Sequence, residues 1–127
     1  MVVDFTANVT VSSASVTCGT GTVSSFSVNG SEVTVNLTGV TNAQIITVML
    51  HVNSSVGSGD FPISMGVLVG DTNGNAAVNA SDVSQTKSRV GQPVTGLNFR
   101  EDVNASGTIS SSDVALVKSN SGTALPP

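Results

Sequence analysis

The sequence predicts an α+β chain. An N-terminal antiparallel β-sandwich of immunoglobulin-like type, residues 1–69, is expected to pack on a C-terminal pair of loop–helix motifs, residues 70–127. Three observations predict this. Short polar–apolar alternations recur between turn signals through the first half. A twelve-residue pattern rich in Asp, Asn and Ser occurs twice in the second half, at 71–82 and 102–113. Each copy runs directly into a helix-start signal.

The β-elements come first. Asn8–Ser12, Ser15–Cys18 and Thr22–Val28 alternate with period two, which turns one strand face inward. Asn29-Gly30 is a hairpin signal. Its partner strand, Glu32–Leu37, sets Val33, Val35 and Leu37 on one face. Gly39 and Thr41-Asn42 mark the next turn. Gln44–Val52 is the most apolar run and predicts a central strand covered on both faces. Gly57-Ser58-Gly59-Asp60 reads as a loop. Pro62–Val69 reads as the last strand, with Pro62 at its start, where a missing N–H is tolerated. Strands at this spacing point to a sandwich, yet the region is short for one, so strands are expected to be missing. Val67-Leu68-Val69-Gly70 meets Asp71 without a linker, so the two parts are expected to pack rigidly.

Composition narrows the function. Net charge is −4 and there is no basic patch, which argues against nucleic acid and anionic membranes as partners. Four of the six Asp, namely Asp71, Asp82, Asp102 and Asp113, open and close the two repeats. A solvated surface would scatter them. The single cysteine, Cys18, allows no internal disulfide and reads as a small half-buried strand residue. Abundant Ser, Thr, Asn, Gly and Val with little Lys and Glu is the composition of an exported β-rich module. The sequence contains no signal peptide or transmembrane span. Its start, Met1–Phe5, reads as a cut from a longer polypeptide that would carry the export signal.

The two repeats align at an offset of 31: Asp71 with Asp102, Asn73 with Asn104, Asp82 with Asp113, Lys87-Ser88 with Lys118-Ser119 and Gly91 with Gly122. Oxygen donors stand at the first, third, fifth, ninth and twelfth places, the ligand rhythm of a calcium loop. The first loop offers the side chains of Asp71, Asn73 and Asn75 and the Ala77 carbonyl. Asn79 would bind directly or through water, and Asp82 with one or both oxygens. The second offers Asp102, Asn104, Ser106, the Thr108 carbonyl, Ser110 through water and Asp113. Two calcium ions are expected. No His or Cys competes for a zinc ion, and magnesium would require a tighter octahedron. The alternative is a pair of Asn/Asp-rich turns that need no metal. Two loops in phase, each with a helix start and no preceding helix, favour calcium.

Both loops close with Asp where an ordinary calcium loop has Glu, and Asn75 and Ser106 replace the common fifth-place Asp. Two carboxylates per site just neutralise the ion, so affinity should fall in the weaker range, about 10⁻⁶ to 10⁻³ M. The tight sixth place is Gly107 in loop two but Ala76 in loop one, which marks loop one as the weaker site. Val78 and Ile109, at the eighth places, are expected to form a two-residue β-bridge between the loops.

Helices are expected at about 80–90 and 111–121. Asn79 and Ser110 are N-caps, each with Asp three residues on, and Gly91 and Gly122 are stop signals. Both helices are rich in poor helix formers. Their apolar anchors are Val83 and Val90, then Val114, Leu116 and Val117. Helices this weak should depend on calcium and on burial. Between them Pro93–Arg100 is a connector, with Leu97 and Phe99 as its core anchors.

From Gly70 to Leu125 the motifs resemble those of type I dockerins. The resemblance rests on Gly70-Asp71-Thr-Asn73-Gly-Asn75 with Val78-Asn79-Ala-Ser81-Asp82-Val83. It rests equally on Asp102-Val-Asn104-Ala-Ser106-Gly107 with Ile109-Ser110-Ser-Ser112-Asp113-Val114. It implies an extracellular or cell-surface prokaryotic module whose paired calcium motifs dock a cohesin module. By that resemblance the contact positions are Ala80-Ser81, Lys87-Ser88, Ser111-Ser112 and Lys118-Ser119. Ser81, Lys87, Ser112 and Lys118 are then the partner-binding candidates, with a solvated helix face as the alternative. A sandwich beside such a module resembles an X-module–dockerin dyad.

Two readings of function follow. One is a non-catalytic docking module for a cohesin. The other is a calcium-stabilised structural module of a secreted or surface protein with no cohesin partner. Enzymatic activity is not expected. The single histidine, His51, lies in a strand run, and no nucleophile–base set stands outside the loops.

Overall fold

The computed structural model describes every residue of the chain except Val56. It divides into two compact units, Met1–Met65 and Gly66–Pro127.

The first unit is built from six strands, β1 (Val2–Asp4), β2 (Val9–Cys18), β3 (Thr22–Asn29), β4 (Glu32–Thr38), β5 (Gln44–Ser54) and β6 (Gly57–Val67), the last of which runs two residues into the second unit. They form two three-stranded sheets, ordered β1-β4-β3 and β2-β5-β6. That is the order B-E-D and C-F-G of an immunoglobulin sandwich. No described strand lies outside β1, where strand A would pair.

Alternation explains the core. Val33 and Val35 of β4 and Val48, Leu50 and Val52 of β5 are buried together with Val9. Each such side chain contributes roughly 1.5–3 kcal/mol through removal from water. Val3, Val11, Val16, Val23, Val28 and Leu37 pack around them.

Several expectations are corrected. Gln44–Val52 is central but covered on one face only. Ile46, Val48 and Leu50 are fully buried, while Ile45 is 36% exposed and His51 on the same side is exposed too. An antiparallel sheet can leave one face to water, which the apolar run concealed. The stretches Asn8–Ser12 and Ser15–Cys18 are one strand with register shifts at Val11/Ser13 and Val16/Cys18. These bulges absorb the break in alternation. Asn29 pairs with Glu32, so the two hairpin residues are Gly30 and Ser31 rather than Asn29-Gly30. Gly57–Asp60 is the start of β6, not a loop. Pro62 thus sits inside a strand, which an edge position permits. Cys18 is exposed rather than half-buried.

The second unit holds two helices, α1 (Ala80–Arg89) and α2 (Ser111–Ser119), and a 3-10 turn at Phe99–Glu101. No described helix is long and apolar enough to cross a membrane. Both helices open on a complete capping box, Asn79 with Asp82 and Ser110 with Asp113. Gly91 and Gly122 follow the helix ends with φ of +84° and +93°, the left-handed geometry that suits glycine.

Val114 and Val117 of α2 are buried as expected, but α1 differs. Val90 is 45% exposed. The inward residue of α1 is instead Thr86, fully buried, whose hydroxyl donates to the Asp82 carbonyl at 2.8 Å. Its counterpart at the offset of 31 is Val117, also fully buried. The back-bonded hydroxyl lets a polar residue occupy an apolar position. In the connector, Leu97 is 96% and Phe99 57% exposed, so neither is a core anchor. Asn98 is buried instead. Its Oδ1 accepts from the Thr95 N–H at 2.6 Å and its Nδ2 donates to the Pro93 carbonyl at 3.0 Å. A polar side chain that satisfies the turn's own backbone outcompetes an apolar one there.

Candidate metal centre

Each loop is shaped by its own side-chain oxygens. In loop one, Asp71 Oδ1 accepts the N–H groups of Gly74 at 2.8 Å and Asn75 at 3.0 Å, and Oδ2 accepts that of Ala76 at 2.9 Å. Asn73 Oδ1 accepts from Asn75, and Asn75 Oδ1 from Ala77, both at 3.0 Å. Asp82 closes the ring. Its Oδ1 accepts from Thr72 at 3.0 Å and Asn73 at 3.2 Å, and its Oδ2 accepts from Asn79 at 2.9 Å. Asn79 Oδ1 caps α1 by accepting from Ser81 at 2.8 Å.

Loop two repeats the scheme. Asp102 accepts the N–H groups of Ser106 at 3.0 Å and Gly107 at 2.8 Å. Asn104 Oδ1 accepts from Ser106 at 2.9 Å. The Ser106 hydroxyl lies 3.4 Å from Asp102 Oδ1 and 3.2 Å from the Thr108 carbonyl, so the first, fifth and seventh places converge. Asp113 Oδ1 accepts from Asn104 at 3.2 Å, and Oδ2 from the Ser110 N–H at 2.8 Å and hydroxyl at 3.1 Å. The ninth and twelfth places therefore meet as well. Burial acts to raise the Asp113 carboxyl. The N–H groups of Ser110 and Asn104, with the Ser110 hydroxyl, outweigh it, so its pKa lies below the ordinary 3.8.

These residues suit a hard cation. Asp82 and Asp113 are fully buried carboxylates, and among the described residues the one ion pair is His51–Asp60, far along the chain. Backbone N–H groups already hold both charges, and a divalent cation would add the counter-ion that no described side chain supplies. No three His, Cys, Asp or Glu side chains gather among the described residues. A cation here would therefore draw on amide, hydroxyl and carbonyl oxygens, which is the preference of calcium.

The backbone corrects the ranking of the loops. The fourth and sixth places of both have positive φ: Gly74 +74° and Ala76 +68°, then Ala105 +53° and Gly107 +84°. Each loop thus carries one alanine in a left-handed position. Ala76 does not single out loop one, because Ala105 imposes the same kind of strain on loop two.

The expected Val78–Ile109 bridge is also replaced. Val78 bonds to the segment after α2, donating to the Thr123 carbonyl and accepting from Gly122, each at 2.9 Å. Ile109 accepts from Gly91, after α1, at 2.9 Å. The isolated bridges Ala77↔Ala124 and Pro93↔Thr108 follow the same exchange. Each loop is therefore buttressed by the end of the other repeat's helix.

The four partner candidates, Ser81, Lys87, Ser112 and Lys118, are all exposed. Neither lysine forms an ion pair among the described residues. Sequence reasoning missed Gln85 and Glu101. Gln85 Nε2 donates to the Thr72 carbonyl at 3.2 Å and to Glu101 Oε1 at 2.8 Å, linking the start of loop one to the buried residue before loop two. An acid beside the Asp102 position was the one available signal. His51 Nδ1 lies 2.5 Å from Asp60 Oδ1, with both side chains exposed on the first unit.

No curated protein and no solved structure matches the chain. Residues 69–120 match the family model of the dockerin type I domain, so the second unit carries a type I dockerin-like module.

Proposed function

We propose that this chain is a non-catalytic module that binds two calcium ions and docks an exported protein onto a cohesin. As a family, type I dockerin domains bind calcium and dock cohesin modules, and they occur in secreted cellulosome components. The observation that supports the reading is the pair of buried carboxylates Asp82 and Asp113, each closing an Asp- and Asn-bearing loop repeated at an offset of 31 and neither in an ion pair among the described residues.

Loop one would hold its ion with Asp71, Asn73, Asn75, the Ala77 carbonyl, Asn79 and Asp82. Loop two would use Asp102, Asn104, Ser106, the Thr108 carbonyl, Ser110 and Asp113. The ion would supply charge neutralisation and fix the helix starts. Ser81, Lys87, Ser112 and Lys118 would then face the partner. The location would be extracellular or at the cell surface of a prokaryote.

A second reading is structural, with calcium stabilising the unit and no cohesin bound. It is favoured by the Ala77↔Ala124 bridge, which ties the C-terminal segment to loop one. Calorimetry with and without chelator tests the metal. An unchanged melting temperature in EDTA rejects both readings. Pull-down against cohesins separates them, since only the docking reading expects capture.

A further inference from the structure

Arg100 stands in the connector, two residues before the second repeat, yet lies against the first loop. Its Nη1 is 2.7 Å from where a Cβ on Gly74 would stand. The Gly74 amide donates to Asp71 Oδ1, and Arg100, Asp71 and Asp102 line one open groove of the second unit. Arg100 is exposed and makes no ion pair within 4.0 Å among the described residues.

The other repeat lacks this arrangement. The residue aligned with Arg100 is Val69, and the place aligned with Gly74 is Ala105, which carries a Cβ at φ +53°. A side chain at position 74 would meet the guanidinium, and glycine leaves room for it. In loop two the matching place takes alanine.

We propose that Arg100 is a built-in cation that weakens calcium binding at loop one, more than at loop two, and makes it salt-dependent. This rests on the calcium reading above. A fixed positive charge beside the loop repels the incoming ion and partly neutralises Asp71 when no metal is bound. Because the guanidinium is exposed, dissolved salt screens the effect.

Isothermal titration with calcium chloride tests it in two single-loop backgrounds, Asp102→Asn to leave loop one and Asp71→Asn to leave loop two. At low salt Arg100→Gln should tighten loop one by about three- to tenfold, and the gain should shrink at about 0.3 M salt. Arg100→Lys, which keeps the charge, should bind as the parent does. Loop two should tighten less than loop one, because the guanidinium rests on Gly74 of loop one. Unchanged loop-one affinity in Arg100→Gln overturns the proposal, as does equal tightening at both loops. So does Arg100→Lys behaving like Arg100→Gln, which would mean packing rather than charge. If the unaltered chain takes up no calcium, the proposed function falls and this inference with it.

Discussion

The backbone N–H of Gly122 donates to the carbonyl of Val78 at 2.9 Å, closing the end of α2 onto loop one. Gly91 makes the same bond to Ile109, closing the end of α1 onto loop two. Neither repeat completes its own loop. The unit is an exchange between two halves, so the ends of the helices matter to the loops of their partners.

Removing residues 122–127 should therefore damage loop one more than loop two. The deletion takes away the partners of Val78, Ala77 and Ala76, since Leu125 donates to the Ala76 carbonyl at 3.0 Å. Titration calorimetry should show loop one losing its calcium affinity while loop two still binds.

Asp82→Ala should be among the costliest single changes in the second unit. It strips the acceptor from the N–H groups of Thr72, Asn73 and Asn79 in a fully buried place. The loss of a cap and of buried bonds should amount to about 2–4 kcal/mol in chelator, read by thermal or urea unfolding. Asp113→Ala should behave alike.

Ala76→Gly and Ala105→Gly should each stabilise the unit. Both alanines sit at positive φ, +68° and +53°, where a Cβ is strained. After the entropy of the added glycine is deducted, a gain of roughly 0.5–1 kcal/mol is expected at each site. The two gains should add, and differential melting of the single and double variants measures this.

Lys87→Glu with Lys118→Glu should abolish capture by any cohesin that binds the unaltered chain. Both lysines are exposed and without ion pairs among the described residues, so the fold should tolerate reversal. Pull-down together with an unchanged melting temperature is the measurement. Retained capture would reject these helix faces as the docking surface.

In the first unit Leu50→Ala should cost about 2–5 kcal/mol, because Leu50 is fully buried among Val9, Val33, Val35, Val48 and Val52. Chemical unfolding monitored by circular dichroism would show it.

Local chemistry made much of this protein legible from its sequence. Alternation located β3 and β4, the apolar run Gln44–Val52 located β5, and the spacing of Asp, Asn and Ser located both loops. Asn79 with Asp82 and Ser110 with Asp113 located both helix starts. These signals act over a few residues, where hydrogen-bond reach and side-chain period decide the outcome. Tertiary structure alone decided which face of β5 is buried, that Asn98 rather than Leu97 anchors the connector, and that Thr86 fills an apolar place. It also decided that each loop is closed by the opposite helix end and that Arg100 lies on Gly74. Those outcomes depend on which distant groups arrive at one point in space, and no local period records that.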